Sequence, residues 1–408
     1  MIASLALTSL LALPSLFKSV SATPAEPSIA GRATCTVTGA QNAGTDDVPA
    51  IEAAIASCST GTVVLSAGVT YALRSTLDLS ECSGCTIAIE GTLKLSDDLD
   101  YWEGNQAAIL VNGVTGATIT SQTSTGLVDG NGVPFWTEFA SNSDYARPTL
   151  MYIEKSSGIT VSNLRFKNAP NVFHSVTGSS TNVIYTGLQL SAVEDDGAVP
   201  KNTDGFDVGL STFVTIHNTT VVNDDDCVAF KSGSSFTTVT DITCTGSHGI
   251  SVGSLGGGEG STDTVENIYV NGATMIDSTK AVGIKLYEGG SSHGTATVKN
   301  VTFENVVVQG SDYAAQIQSC YDSASAANCT ANPSTSSITD VNFINFSGTT
   351  SSTYSPTVAN LNCPGAGTCD ISFTGFTVKN PSGTSTVLCS NIDDSSSLGL
   401  TCSGAASG

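Results

Sequence analysis

The sequence predicts an all-β chain, a right-handed parallel β-helix with a short N-terminal capping helix. Three observations carry that reading. One phrase recurs along the chain: a small polar residue, three or four residues of alternating β-branched character, then a second short strand after a turn. No helical heptad separates the copies. The 408 residues are 40% hydrophobic, 12% charged and rich in glycine (41), a balance that suits many short strands around a sizeable core.

Taken in order, residues 1–22 read as a targeting segment. The apolar run from Leu5 to Phe17 is too short to span a membrane, and Val20-Ser21-Ala22 offers a small-residue cleavage site, although the segment before the run lacks Lys or Arg. Residues 23–408 then form a single domain, because no linker or shift of composition divides them. The stretch Val48-Pro49-Ala50-Ile51-Glu52-Ala53-Ala54-Ile55-Ala56 is the one helical candidate, placed to cover the open first coil.

The repeated phrase begins in earnest at Gly158-Ile159-Thr160-Val161 and Asn182-Val183-Ile184-Tyr185. It returns at Phe213-Val214-Thr215-Ile216, Val239-Thr240-Asp241-Ile242, Asn267-Ile268-Tyr269-Val270, Asn300-Val301-Thr302-Phe303, Asp340-Val341-Asn342-Phe343 and Asp370-Ile371-Ser372-Phe373. The spacing is mostly roughly 24–33 residues, too short for each unit to bury its own apolar face. Stacked coils solve this. An antiparallel sandwich is the competing architecture, but it leaves the repetition unexplained.

The twelve cysteines, all downstream of the targeting segment, fall largely in near-neighbour pairs and predict short local bridges in a secreted protein. Cys82-Ser83-Gly84-Cys85 lacks a second such pair or a nearby His, so a structural bridge is preferred to zinc. Sequons begin at Asn218, Asn300, Asn328 and Asn345. The net charge of −22, with only 14 Lys and Arg, excludes nucleic acid as a natural partner. With no later apolar run of membrane length, an extracellular monomer without a membrane anchor is expected.

The densest chemical signal is Asn223-Asp224-Asp225-Asp226-Cys227, followed at once by Val228-Ala229-Phe230. Like charges crowded at the edge of a packed strand raise one another's pKa. Asp204, in Asn202-Thr203-Asp204-Gly205, lies about one coil earlier and stacks on the same face. Adjacent Asp225 and Asp226 face opposite sides of a regular strand, so a bend or bulge is required for both to reach one groove. The competing readings of the cluster are a calcium site or an acidic turn. Asp224, His174 and His293 are read as structural.

The blocks Asn202-Thr203-Asp204-Gly205, Asp224-Asp225-Asp226-Cys227, Gly246-Ser247-His248-Gly249 and Gly283-Ile284-Lys285 resemble, in order and spacing, the four motifs of the polygalacturonases of glycoside hydrolase family 28. The resemblance spans roughly residues 35–402. It implies a parallel β-helix that hydrolyses pectin backbones with inversion, without metal or cofactor. It further implies Asp225 as general acid, Asp204 and Asp226 as the pair activating water, and His248 as the support of the acid. Lys285 and Tyr313, with Asn202 and Gly283, fall to substrate binding. Cys227 and Cys244 bracket the strand after the aspartates, and a bridge there would hold the acid rigidly.

One departure stands out. The fourth motif usually reads Arg-Ile-Lys, and here Gly283 replaces the arginine. That removes a guanidinium and is expected to open the site. Together with Tyr101-Trp102 and the stretch Ser311 to Tyr321, this resembles fungal endo-xylogalacturonan hydrolases, which implies a galacturonan substituted with xylose. An endo- or exo-polygalacturonase on the unsubstituted polymer is the alternative. A pectate lyase would need calcium and an arginine base, and no arginine lies near these blocks in sequence. A non-catalytic pectin-binding β-helix would not need the aspartates and His248 together.

Overall fold

The computed structural model describes residues 32–408, so the targeting segment expected over 1–22 lies outside the described residues. The phrases found in the sequence stack in one register, except that Val239-Thr240-Asp241-Ile242 is offset by three residues, its first residue standing where the others have their last. Ile216 pairs with Val239, Val239 with Val270, Val270 with Phe303, Phe303 with Phe343, and Phe343 with Phe373, every pairing parallel. All six side chains are buried, and the last three rings stack at centroid distances of 5.5 and 4.3 Å. Each such burial stabilises the coil by about 1.5–3 kcal/mol, a gain no single unit could collect alone.

The small polar residue that opens each phrase has a geometric cause. Asn182, Asn267, Asn300 and Asp340 sit at φ of 55°, 57°, 52° and 53°, at the bend between one face and the next. Asn and Asp tolerate this left-handed region better than other side chains. Phe213 and Phe236 occupy the same column at φ of 55° and 51°, exposed and stacked on each other at 5.1 Å.

Among the described residues these coils make a 17-stranded and an 11-stranded parallel sheet, wound as a right-handed β-helix. Long strands such as Ser211–Val222 pair with both Ser180–Thr186 and Gln189–Ser191 of the preceding coil, so the larger sheet supplies two faces. The smaller sheet is the third face. Its successive strands include His174–Thr177, Phe206–Val208, Asp226–Phe230, Gly249–Leu255, Val282–Leu286, Ala315–Gln318 and Thr357–Asn362.

The expected helix forms over Val48–Ser57, with Pro at its start and Val48, Ile51 and Ile55 buried against the first coils. Three short helices were not foreshadowed: Leu99–Trp102, Gly132–Ser141 and Ala326–Ala331. They are excursions between strands; Trp102 anchors the first and Phe135 with Trp136 the second, whereas Ala326–Ala331 buries no side chain. All twelve cysteines pair locally: 35–58, 82–85, 227–244, 320–329, 363–369 and 389–402. His174 is a core side chain, boxed by Phe166, Tyr185 and Phe206, and burial lowers its pKa to about 3, which keeps it neutral.

Candidate active site

The four motifs meet on the smaller sheet because the first three lie at or just before the starts of successive strands and the fourth lies within the next one. Asp204 precedes Phe206–Val208, Asp225 precedes Asp226–Phe230, His248 precedes Gly249–Leu255, and Lys285 lies within Val282–Leu286. Parallel register then places them side by side. Carboxylate oxygens of Asp204, Asp225 and Asp226 lie within 4.8 Å of one another.

The bend that the adjacent aspartates require is present, because the chain turns at Asp224 and Asp225 before the strand begins at Asp226, and a bulge follows. The register with the next strand slips between Asp226 and Val228, so one residue of the bulged strand has no partner. Asn223 pins the turn: its amide donates to the carbonyls of Thr203 at 2.8 Å, Asp225 at 3.1 Å and Asp226 at 3.1 Å. The Cys227–Cys244 bridge ties the bulge to the adjoining face.

Asp225 is held from three sides. Its Oδ1 accepts the Asp226 amide at 2.8 Å and faces His248 Nδ1 at 3.1 Å, and its Oδ2 accepts from Asn202 at 3.2 Å. Burial alone raises this carboxyl, but the His248 hydrogen bond and charge, with Lys285 and the amide, hold it below the ordinary carboxylate range. Asp226 is fully buried, accepting from Lys285 Nζ at 2.6 Å and Ser251 Oγ at 2.7 Å. Asp204 runs the other way. Burial, then Asp207 and Asp225, push it well above the usual range, against the pull of Lys231 at 3.7 Å. Asp207 is raised by burial too.

Several expectations need revision. Lys285 is committed to Asp226 and only 6% exposed, so a substrate carboxylate must compete for it. The space over Gly283 is not vacant: a Cβ there would lie 2.6 Å from the Gln316 carbonyl and 2.8 and 2.9 Å from Cδ and Cε of Lys280. Nor is arginine distant. Arg147 donates to Asn202 Oδ1 at 2.8 Å and to the carbonyls of Lys201 at 2.6 Å and Pro170 at 3.0 Å. Its guanidinium lies 3.7 Å over the Phe139 ring, and burial lowers its pKa only to about 10. A cation so engaged positions Asn202 rather than serving as a base.

Tyr313 borders the groove, with burial raising its hydroxyl to about 12, and stacks on Tyr354 at 4.7 Å and 9°. Asp224 is more exposed, 4.0 Å from His248 Nε2. A depression lined by Phe139, Arg147, Asn202, Asp204 and Lys231 lies on one side of the aspartates, and another lined by His248, Lys280, Lys285, Tyr313 and Tyr354 on the other. A larger hollow near Asn362 has no paired carboxylates, so chemistry rather than size selects the site. A calcium ion would have to compete with the lysine and serine donors already on Asp226.

Asp207, Lys231, Ser251, Lys280 and Arg147 carry no motif that marks them in the sequence. Asp207 was findable all the same, since it alternates between the buried Phe206 and Val208 and must face the groove. Lys280 and Arg147 offer no such signal. Of the sequons, Asn218, Asn300 and Asn345 are exposed, whereas Asn328 is half-buried and donates to the buried Glu288.

The family model described as glycosyl hydrolases family 28 matches residues 58–402. The chain is 55% identical over 384 residues to endo-xylogalacturonan hydrolase A of Aspergillus tubingensis, covering 94% of this chain and 93% of that one. It is 51% identical over 406 residues to a probable endo-xylogalacturonan hydrolase A of Aspergillus fumigatus, covering 99% of each. The crystal structure of the endo-xylogalacturonan hydrolase from A. tubingensis superposes with a TM-score of 0.90, covering 92% of this chain and 100% of that one at 55% identity. A polygalacturonase from Erwinia carotovora shares the fold at a TM-score of 0.70 and 21% identity, over 91% and 99% of the two chains.

Proposed function

The chain belongs to glycosyl hydrolases family 28, and from that premise we propose that it is a secreted endo-hydrolase of a xylose-substituted galacturonan backbone. It is a glycoside hydrolase acting on pectin. Residues 23–408 constitute its single catalytic domain, acting extracellularly as a monomer.

One observation carries the reading: the Asp225–His248 pair and the buried Asp204 and Asp226 converge in one groove flanked by lysines. Asp225 gives its proton to the leaving glycosidic oxygen. In the free enzyme the contacts from His248, Lys285 and the Asp226 amide favour the ionised form of Asp225. A sugar covering the carboxyl excludes water and favours its neutral form, so that it takes up the proton it then delivers. Water held between Asp204 and Asp226 attacks the anomeric carbon as the bond to the leaving oxygen breaks. Its proton passes to Asp204, whose raised proton affinity suits an acceptor.

The close approach of the carboxylates, within 4.8 Å, is shorter than the about 6.5–9.5 Å typical of inverting enzymes. We nevertheless assign inversion. Asp226 is buried and locked by Lys285 and Ser251, and Asp204 is only 6% exposed beside Lys231, so neither is free to attack carbon directly. Proton NMR of early products should show the inverted anomer, and initial retention would point to a covalent intermediate instead.

The substrate is tested by kcat/KM on xylogalacturonan and on polygalacturonate. A higher value on the substituted polymer is expected. Preference for the bare polymer would make the enzyme a polygalacturonase, and products with a C4–C5 double bond would make it a lyase.

A further inference from the structure

Lys280 belongs to none of the four motifs, yet its side chain runs through the centre of the site. It lies just before the strand Val282–Leu286 and is 4% exposed. Its Nζ donates to the main-chain carbonyl of His248 at 2.6 Å and stands 3.9 Å from Asp226 Oδ1. Two glycines border it. A Cβ on Gly283 would meet its Cδ and Cε at 2.8 and 2.9 Å, and a Cβ on Gly249 would meet its carbonyl at 2.4 Å and its Cγ at 2.9 Å. Glycine at these positions therefore makes room for a lysine, although the sequence had suggested that Gly283 opens the site.

The consequence falls on His248. Its amide N–H donates to the Asp225 carbonyl at 2.7 Å, and its own carbonyl accepts from Lys280. The residue is thus clamped at both ends of its backbone while its imidazole meets Asp225 at 3.1 Å. A buried ammonium is a costly way to hold one carbonyl unless its placement matters. Burial lowers its pKa to about 8, opposed by Asp226 and assisted by Lys285.

We propose that Lys280 is a positioning residue that clamps the His248 backbone and so keeps the imidazole on Asp225. The proposal deepens the hydrolase reading above and rests on it for the effect on turnover. The clamp also accounts for Gly283: the glycine seats Lys280 and does not of itself widen the groove for a substituted substrate.

The test is Lys280→Met, which keeps the length of the side chain and removes the donor, with Lys280→Gln, too short to reach the carbonyl, as a second variant. Both are assayed for kcat and KM on xylogalacturonan. The His248 imidazole titration is followed by NMR in the absence of substrate, with His248→Gln assigning the resonance. A folded variant is expected to lose about tenfold or more in kcat with little change in KM, since misplacing an acid's support acts on the chemical step. Its His248 midpoint is expected to move. A rise in KM at unchanged kcat would overturn the proposal in favour of direct substrate contact. An unmoved midpoint with wild-type kcat would overturn it outright, leaving Lys280 a purely structural cation. If the wild-type protein cleaves neither polymer, the functional reading fails, and the NMR titration still decides the clamp.

Discussion

Lys285→Met removes one member of the tightest ion pair in the site. Lys285 Nζ lies 2.6 Å from Asp226 Oδ2, and the two side chains are 8% and 1% exposed, so solvent screens the pair little. Breaking a buried pair from one side leaves the other charge uncompensated and typically costs about 3–5 kcal/mol. Two groups soften that here: Ser251 still donates to Oδ1 at 2.7 Å, and Lys280 Nζ remains 3.9 Å away. The expected loss is therefore about 3 kcal/mol, at the lower end of that range. Urea unfolding at neutral pH measures it through the midpoint at unchanged slope. Repeating the measurement in Lys285→Met/Asp226→Asn should recover part of the loss, because the orphaned charge is then gone. A loss below about 1 kcal/mol, the scale of an exposed pair, would refute the claim that this contact is a buried structural pair.

Asp225→Asn should lower kcat by about 10²–10⁴-fold while leaving KM within a few fold, since it replaces the proton donor with an amide of nearly the same shape. Near-wild-type turnover would remove Asp225 from the role of acid. Asp204→Asn tests the raised carboxyl through stability. The folded state binds this proton more tightly than the unfolded chain, so wild-type stability falls with rising pH between the ordinary carboxylate range and the raised value. The slope from one such proton is at most about 1.4 kcal/mol per pH unit, and the variant should lack it. Parallel slopes in the two proteins would contradict the assignment. Peptide mapping should find glycan at Asn218, Asn300 or Asn345 but none at Asn328, whose amide is held by Glu288 beside the Cys320–Cys329 bridge. Full occupancy at Asn328 would show that this contact does not form.

The solenoid was legible in the sequence because each coil repeats the same local demands. A β-branched or aromatic side chain must point inward, so Ile216, Val239, Val270 and Phe303 mark out a column by their spacing alone. A left-handed bend must precede it, so Asn267 and Asn300 mark the corners. Phe213 broke that second rule yet was still found, because the alternation after it was intact, whereas Phe236 was missed and its coil was read from Val239 onward. The bend at Asp225 followed from the period of a strand, since two neighbouring carboxylates in regular extended chain cannot share a groove.

What the sequence could not supply was the pairing of charges across coils. Local patterns specify which face a side chain takes, and the motifs located Asp204, Asp225, Asp226 and His248 on one face. They do not specify which distant group meets it there. Lys285 read as a cation for the substrate carboxylate, and it is tied to Asp226, 59 residues away. Gly283 read as an opening and proved to be the seat of Lys280. Arg147 reaches Asn202 across 55 residues. Protonation follows the same rule: Asp204 and Asp225 are the same residue type, and only burial near Asp207 and contact with His248 drive one pKa up and the other down. Electrostatic energy depends on separation in space and on exclusion of water, and both are set when the coils stack.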